Sequence, residues 1–308
     1  MAYVYGVDIG GTAIKVGLFD LSGALLDRWE LPTRREDHGA EILPDLARWI
    51  RAQPIRLSEL VGVGVGIPGP VVDGTVYGCV NLGWETVPVA QSLSRLLDGV
   101  CVRAGNDANV AALGECWQGA GTGRQNLLLV TLGTGVGCGV VVDGVILPGA
   151  HGAAGELGHV QVRADEEERC GCGKRGCLEQ YASATGIVRL ARQKGLALSE
   201  PLTAKAVLDA ARGGDPVARQ VAEEAGTVLG LALSWAACLL DPELILLGGG
   251  VARAGDVLLD PVRAQYRRSV FHRARETEFA LAALGNDAGI YGAARLIETA
   301  VSRDGLHQ

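Results

Sequence analysis

The sequence predicts an α/β protein with largely buried sheets, built in two parts. Three observations carry that prediction. Runs rich in Val, Ile and Leu alternate with stretches of helical apolar spacing. One design, a strand, a glycine turn and a second strand, occurs twice, at Asp8-Ile9-Gly10-Gly11-Thr12 and at Thr131-Leu132-Gly133-Thr134-Gly135. The 308 residues suffice for two domains of roughly 150 residues each. Composition agrees: 48% hydrophobic and 20% charged residues support a packed core and exclude a disordered chain. Glycine supplies 45 residues, roughly twice the usual share of about 7%. Without a three-residue period this excludes collagen and implies tight turns or ligand loops.

In chain order, Tyr3 to Asp8 reads as a buried strand, followed by a glycine turn and a strand from Ile14 to Phe19. Asp20-Leu21-Ser22-Gly23 is a hairpin turn, and Ala24 to Leu31 runs back as a third strand. Helical spacing covers Ile42 to Ala52, Val89 to Leu97 and Asn109 to Gln118. Strands are expected over Val61 to Ile67, ending at Pro68-Gly69-Pro70, and over Val100 to Ala104. The second strand set is Leu127 to Leu132, Gly139 to Val142 and Val145 to Ile146. Helices dominate after Glu179, the longest from about Val217 to Leu240. Leu244 to Leu247 is a strand ending in Gly248-Gly249-Gly250, and Gly289 to Ala300 is a closing helix.

The net charge of −7, with a pI of about 5.3 and no basic run, argues against a nucleic-acid partner. The first residues lack a basic flank and meet Asp8 early, so no secretory leader is expected. The longest apolar run, Leu229 to Leu240, contains Ser234 and falls short of the about 20 residues a membrane span needs. A cytoplasmic protein without a membrane partner is the expectation, and its eight cysteines then need a reason other than disulfides.

The first glycine turn, with Gly10 and Gly11, follows Asp8 at a strand end and precedes Thr12 and Lys15. Glycines let backbone N–H groups approach phosphate oxygens closely. Thr12 can donate a hydrogen bond, Lys15 supplies a point charge, and Asp8 can hold Mg²⁺ directly or through water. Gly133-Thr134-Gly135-Val136-Gly137 offers a second such nest, although one glycine hairpin alone usually just makes a turn. Neither loop fits the GxxxxGK[ST] pattern. A strand rather than a helix follows Gly135, which excludes a dinucleotide-binding fingerprint.

Cys170, Cys172 and Cys177 fall in one short glycine-rich stretch, with His159 upstream. A His-Cys₃ set suits a closed tetrahedral zinc site; a disulfide, free thiols or a nucleic-acid zinc knuckle are the alternatives. Cys79, Cys101, Cys116, Cys138 and Cys238 stand singly in apolar context and read as core residues. Asn106 and Asp107 follow a strand and open a helix. They serve either as an N-cap or, for Asp107, as an acid beside a cleft that accepts a proton from a substrate hydroxyl. With Asn106, Glu156, His159 and Glu179, Asp107 makes a hydroxyl-reading set suited to a sugar.

From Asp8-Ile9-Gly10-Gly11-Thr12 to Ala288-Gly289-Ile290-Tyr291-Gly292-Ala293-Ala294 the chain resembles the ROK family of sugar kinases, within the actin-like ATPase superfamily. The most specific pieces are Gly155-Glu156-Leu157-Gly158-His159 and Cys170-x-Cys172-Gly173-x-x-Gly176-Cys177-x-Glu179. Ile67-Pro68-Gly69-Pro70-Val71 and Asn81-Leu82-Gly83-Trp84 are most similar to its glucokinase branch. The resemblance implies a two-domain actin-like ATPase (ribonuclease H-like) fold with a cleft between the domains. The smaller domain would span about 1–118, with a closing helix at about 290–305 returning to it, and the larger about 119–290.

It further implies ATP-dependent phosphorylation of a hexose at the 6-hydroxyl, with glucose leading and Asp107 as general base. Gly69, Asn81, Asn106, Glu156, His159 and Glu179 would bind the sugar. Asp8, Gly10, Gly11, Thr12, Lys15, Gly133, Thr134 and Gly135 would serve ATP·Mg²⁺, with Gly248, Gly249 and Gly250 near the adenosine. His159, Cys170, Cys172 and Cys177 would bind structural Zn²⁺, and family members are usually homo-oligomers, dimers or tetramers. Ala13, Gly105 and Cys138 depart from residues common in the family. The alternatives are a kinase for N-acetylmannosamine, mannose, allose or fructose, and a sugar-sensing regulator. The first phosphate loop opening at Asp8 and the presence of Asp107 both favour the enzyme.

Overall fold

The computed structural model describes residues 2–198 and 200–304. In chain order its elements are β1 (Tyr3–Ile9), β2 (Ala13–Asp20), β3 (Leu25–Pro32), the short turn α1 (Glu36–Gly39), α2 (Ile42–Arg51), β4 (Leu60–Ile67), β5 (Val71–Val72), β6 (Thr75–Cys79), β7 (Trp84–Val87), α3 (Val89–Leu96), β8 (Val102–Asn106) and α4 (Asp107–Gln118). There follow β9 (Leu127–Leu132), β10 (Val136–Val142), β11 (Val145–Ile146), α5 (Glu179–Ala182), α6 (Ala184–Gln193), α7 (Ala204–Arg212), α8 (Pro216–Leu240), β12 (Leu244–Gly248), α9 (Gly249–Ala252), α10 (Asp256–Ser269), β13 (Glu278–Leu281) and α11 (Ala288–Asp304). The expected closing helix begins two residues early, and its far end, Gly305, lies outside the described residues.

The chain divides into two compact units. The first comprises residues 1–125, 139–155 and 283–308. Its main sheet has the order β3-β2-β1-β4-β8, with β1 antiparallel to β2 and parallel to β4, and β4 parallel to β8. β1 and β4 are buried along nearly their whole length, as their Val- and Ile-rich sequences require. α2 buries Ile42, Leu43, Leu46, Ala47 and Ile50 in the core of this unit. Truncating Leu46 there, at 0% exposure, costs about 2–5 kcal/mol. On α11, Ile290, Ala294 and Ile297 pack with Val4 and Phe19. That packing needs bare backbone: a Cβ at Gly64 would lie 1.7 Å from the Ala293 carbonyl oxygen, and one at Gly292 would lie 1.7 Å from that of Val110. Glu115 on α4 is fully buried, and its carboxylate accepts from the amides of Ala120, Ala283 and Leu284 at 2.9, 3.1 and 2.7 Å. It thereby fastens the end of α4 to the segment leading into α11.

The second unit comprises residues 126–138 and 156–282. Its parallel core is β9, β12 and β13, in the order β9-β12-β13. α8 is the one helix among the described residues long and apolar enough by length and composition to cross a membrane. Its buried positions, Ala218, Val221, Ala222, Ala225, Val228, Leu229, Ala232 and Leu233, recur at three- and four-residue steps, and α7 and α10 pack against it.

Four sequence expectations need correction. The bounds expected, 1–118 and 119–290, differ from the division of the chain, in which residues 119–125, 139–155 and 283–290 belong to the first unit. The Val140 amide donates to Asn109 Oδ1 at 3.2 Å, and a Cβ at Gly139 would lie 2.2 Å from the Ala108 carbonyl, so this stretch lies on α4. The strand expected over Val100 to Ala104 runs two residues later, carrying Asn106 on its end. The helix after it opens at Asp107, not Asn109. Cys101 and Cys238 are exposed and Cys116 half-buried, so only Cys79 and Cys138 of the single cysteines are core residues.

Candidate active site

In open sheets, ligands bind beyond the carboxyl ends of parallel strands. In the first unit β1, β4 and β8 run side by side in register, Asp8 opposite Gly66 and Ile67 opposite Asn106. Their carboxyl ends carry the Gly10-Gly11-Thr12 turn, Gly69 and the Asn106-Asp107 pair. Asn106 is the N-cap of α4, its Oδ1 accepting from the Asn109 amide at 3.1 Å. Its Nδ2 donates to the Gly69 carbonyl at 3.1 Å, where Gly69 adopts φ of 97°. Asp107 is therefore the first helical residue rather than the cap. It is half-buried, and one carboxylate oxygen accepts from the Ala108 amide at 2.8 Å.

The first glycine turn closes through Gly10 N–H to the Ala13 carbonyl at 2.9 Å, and Thr33 Oγ1 donates to the Gly10 carbonyl at 2.7 Å. Burial pushes the Asp8 carboxyl up, with Lys15 opposing. Lys15 sits opposite Asp8 on β2, but its Nζ donates to the Asn286 carbonyl at 2.9 Å. Asn81 is exposed beyond β6, and its carbonyl oxygen lies 3.5 Å from where a Gly11 Cβ would stand.

The second unit repeats the arrangement. β9 and β12 are parallel with Thr131 opposite Gly248, so Gly133-Thr134-Gly135 and Gly248-Gly249-Gly250 leave the same edge. A cavity of about 600 Å³, lined among others by Gly133, Thr134, Leu208, Gly250, Val251 and Arg253, opens there. That volume suits a small-molecule ligand. The turn is held from outside: Thr185 Oγ1 donates to the Thr134 carbonyl at 2.9 Å and the Ala184 amide to the Gly133 carbonyl at 2.8 Å. Glu179 Oε2 accepts from the Val136 amide at 3.0 Å, and a Cβ at Gly135 would lie 2.3 Å from that oxygen. Sequence reading missed Thr33, Ser183 and Thr185. Ser183 alone carried a signal, a serine placed before a helix: its Oγ caps α6 at the Gly186 amide (3.0 Å) and donates to the Glu179 carbonyl at 2.6 Å.

The ligand atoms of His159, Cys170, Cys172 and Cys177 all lie within 4.8 Å of one another. No cysteine is in a disulfide. Cys172 Sγ stands 3.6 Å from Cys177 Sγ, and Cys170 Sγ stands 3.8 Å from His159 Nδ1. A tetrahedral zinc ion with Zn–S bonds of about 2.3 Å separates its sulfurs by about 3.8 Å, so the donor set fits that ion. Nδ1 faces the thiols while Nε2 lies 3.9 Å from Glu156 Oε2. The cluster reaches the glycine turn through Glu179, whose Oε1 is 3.8 Å from Cys170 Sγ.

A family model described as "ROK family" matches residues 4–300. A glucokinase of Halalkalibacterium halodurans is 42% identical, the match covering 95% of this chain and 94% of that one. Among solved structures, a ROK family glucokinase from Streptomyces griseus in complex with glucose and AMPPNP superimposes with a TM-score of 0.75 at 34% identity, covering 96% of this chain and 99% of that one. A ROK hexokinase from Thermus thermophilus gives a TM-score of 0.81 at 32% identity, covering 98% and 99%. The fold is the actin-like ATPase fold expected from the sequence.

Proposed function

We propose, from the premise that this chain belongs to the ROK family, that it transfers the γ-phosphoryl group of ATP to the 6-hydroxyl of glucose. The observation that carries the reading is Asp107, a half-buried carboxylate on the first turn of α4, beside Asn106 and Gly69 at the carboxyl edge of the sheet. Its carboxylate takes the proton of the 6-hydroxyl as that oxygen forms a bond to the γ-phosphorus and the bond to the ADP oxygen breaks. The glucose 6-phosphate and ADP formed balance the atoms. Such transfer depends chiefly on positioning and charge neutralisation.

On this reading Gly11, Thr12, Thr134 and Gly135 present N–H and hydroxyl donors to the phosphates, while Gly10 and Gly133 shape the two cradles, their N–H groups closing the turns onto the Ala13 and Gly135 carbonyls. Gly248, Gly249 and Gly250 border the adenosine. Asp8 would be the carboxylate that holds Mg²⁺, which would supply charge neutralisation on the phosphate oxygens. Lys15, committed to the Asn286 carbonyl, acts on the phosphates only if that bond is released. Gly69, Asn81, Asn106, Glu156, His159 and Glu179 take the sugar hydroxyls. Zn²⁺ held by His159, Cys170, Cys172 and Cys177 supplies a structural centre. His159 would bind it through Nδ1, which faces the thiols, and offer Nε2 to a hydroxyl, while Glu179 would be steadied beside Cys170. The reading includes a cytoplasmic homo-oligomer whose partners are sugar and ATP.

The test is ADP release with ATP·Mg²⁺ and glucose, mannose, fructose, allose, N-acetylglucosamine or N-acetylmannosamine. The highest kcat/KM is expected on glucose. Preference for an N-acetylated sugar overturns the substrate, and absence of turnover on every sugar overturns the kinase reading.

A further inference from the structure

Glu179 is held on one side by the cysteine loop. On the other side stands a cluster that uses no thiol. Arg189, on α6, donates from Nε and Nη2 to the Gln180 carbonyl at 3.3 and 3.1 Å. The same Nη2 lies 2.9 Å from Glu166 Oε2, and Nη1 lies 3.3 Å from Glu168 Oε2. The guanidinium carbon sits 5.1 Å above the Tyr181 ring, and Tyr181 Oη donates to Glu166 Oε2 at 2.5 Å. Gln180 closes the ring of contacts: its Oε1 accepts from the Cys177 amide and its Nε2 donates to the Glu168 carbonyl, both at 3.1 Å.

These side chains are not ordinary surface partners. Arg189 is 18% exposed and Glu166 10%, so solvent and salt screen this pair less than an exposed one. Burial alone would raise the Glu166 carboxyl, but hydrogen bonds from Tyr181 and Arg189 hold it down to about 2. The planar fork of arginine fits this role, because it meets a carbonyl, two carboxylates and a ring face together, which a lysine cannot.

We propose that Arg189 is a positioning residue for sugar recognition: it clamps the backbone of Gln180 and the Glu166–Glu168 segment, fixing the adjacent Glu179 carboxylate independently of the metal. This rests on the reading of Glu179 as a sugar ligand. Glu179 then has two supports, the thiol side through Cys170 and Cys177, and the Arg189 side through the peptide that joins it to Gln180.

The test compares Arg189→Lys, Tyr181→Phe and Glu179→Gln in the zinc-loaded enzyme, reading KM for glucose, KM for ATP, kcat and bound zinc. Arg189→Lys is expected to raise KM for glucose about tenfold, with KM for ATP and the zinc content unchanged. Tyr181→Phe, which removes one hydroxyl and keeps the ring, moves it less in the same direction, and carries the test alone if Arg189→Lys does not fold. If Glu179→Gln raises KM for glucose but neither clamp variant does, the clamp is refuted and the sugar reading stands. If Glu179→Gln itself leaves KM for glucose unchanged, the reading of Glu179 fails and the clamp with it. Loss of zinc, or a parallel change in both KM values and kcat, makes Arg189 a merely structural residue and overturns the proposal.

Discussion

The two glycine turns share a design and differ in what holds them. Each leaves a buried parallel strand, β1 or β9, and turns back into an antiparallel neighbour. The Gly10 turn is fastened within its own sheet, by the Ala13 carbonyl and the Thr33 hydroxyl. The Gly133 turn also closes on itself, Gly133 N–H to the Gly135 carbonyl at 3.0 Å, but is fastened in addition by distant side chains, Glu179 and Thr185, that follow the cysteine loop in sequence. A turn held by its own hairpin responds only to its own strands. A turn held through Glu179 is tied also to the cysteine cluster, so under the proposed roles the second half would couple phosphate-loop geometry to sugar recognition and the first would not.

The largest effect lies in the half without the cysteine cluster. Asp107→Asn keeps the N-terminal position on α4 but cannot take a proton, and kcat is expected to fall about 10² to 10⁴-fold while glucose still binds. Steady-state kinetics with a calorimetric binding measurement check this; turnover within about tenfold of wild type removes Asp107 as the base.

Next comes the metal. Cys172→Ser, or chelation of the wild type, is expected to lose zinc and weaken glucose binding by about 10²-fold. Amide exchange should accelerate at residues 133–136 and stay unchanged at 10–13. Equal acceleration in both turns would break the comparison.

Two glycines in the second turn separate its roles. At Gly135 a methyl meets the Glu179 carboxylate, whereas nothing lies within 4 Å of a Cβ at Gly133. Gly135→Ala should therefore raise KM for glucose about tenfold, by displacing Glu179. Gly133→Ala should spare KM for glucose and act only through ATP. The smallest effect is a matched pair: Thr33→Val and Thr185→Val each remove one hydroxyl bond to a turn carbonyl, costing about 1 kcal/mol. Thermal unfolding reads that loss, and hydrogen exchange should show each variant loosening its own turn only.

Much of this was legible in the sequence, because the informative features are local. The β-branched runs stopped by glycine mark β1, β2, β9 and β10, and Cys170, Cys172 and Cys177 announce a thiol site by spacing alone. What escaped is small or long-range. β5, β6 and β7 form a separate three-stranded sheet from short runs that carry no alternation. β13 is four residues long, and α10 carries Pro261 inside a helical pattern. The assignment of 139–155 to the first unit is decided by packing on Ala108 and Asn109, which no periodicity in that stretch records. Arg189 reads as one more basic residue on an amphipathic helix until its guanidinium is found between Gln180 and Glu166. Asn106 and Asp107 were recognisable as a pair, but which of them caps α4 depends on a single backbone turn.

The account stands most directly on the identity of the product. Phosphorus NMR of the wild-type enzyme with ATP, Mg²⁺ and glucose should show ADP and one new phosphomonoester, coupled to the two protons on carbon 6. A phosphoryl group on another oxygen, or ADP formed without any sugar phosphate, would contradict it.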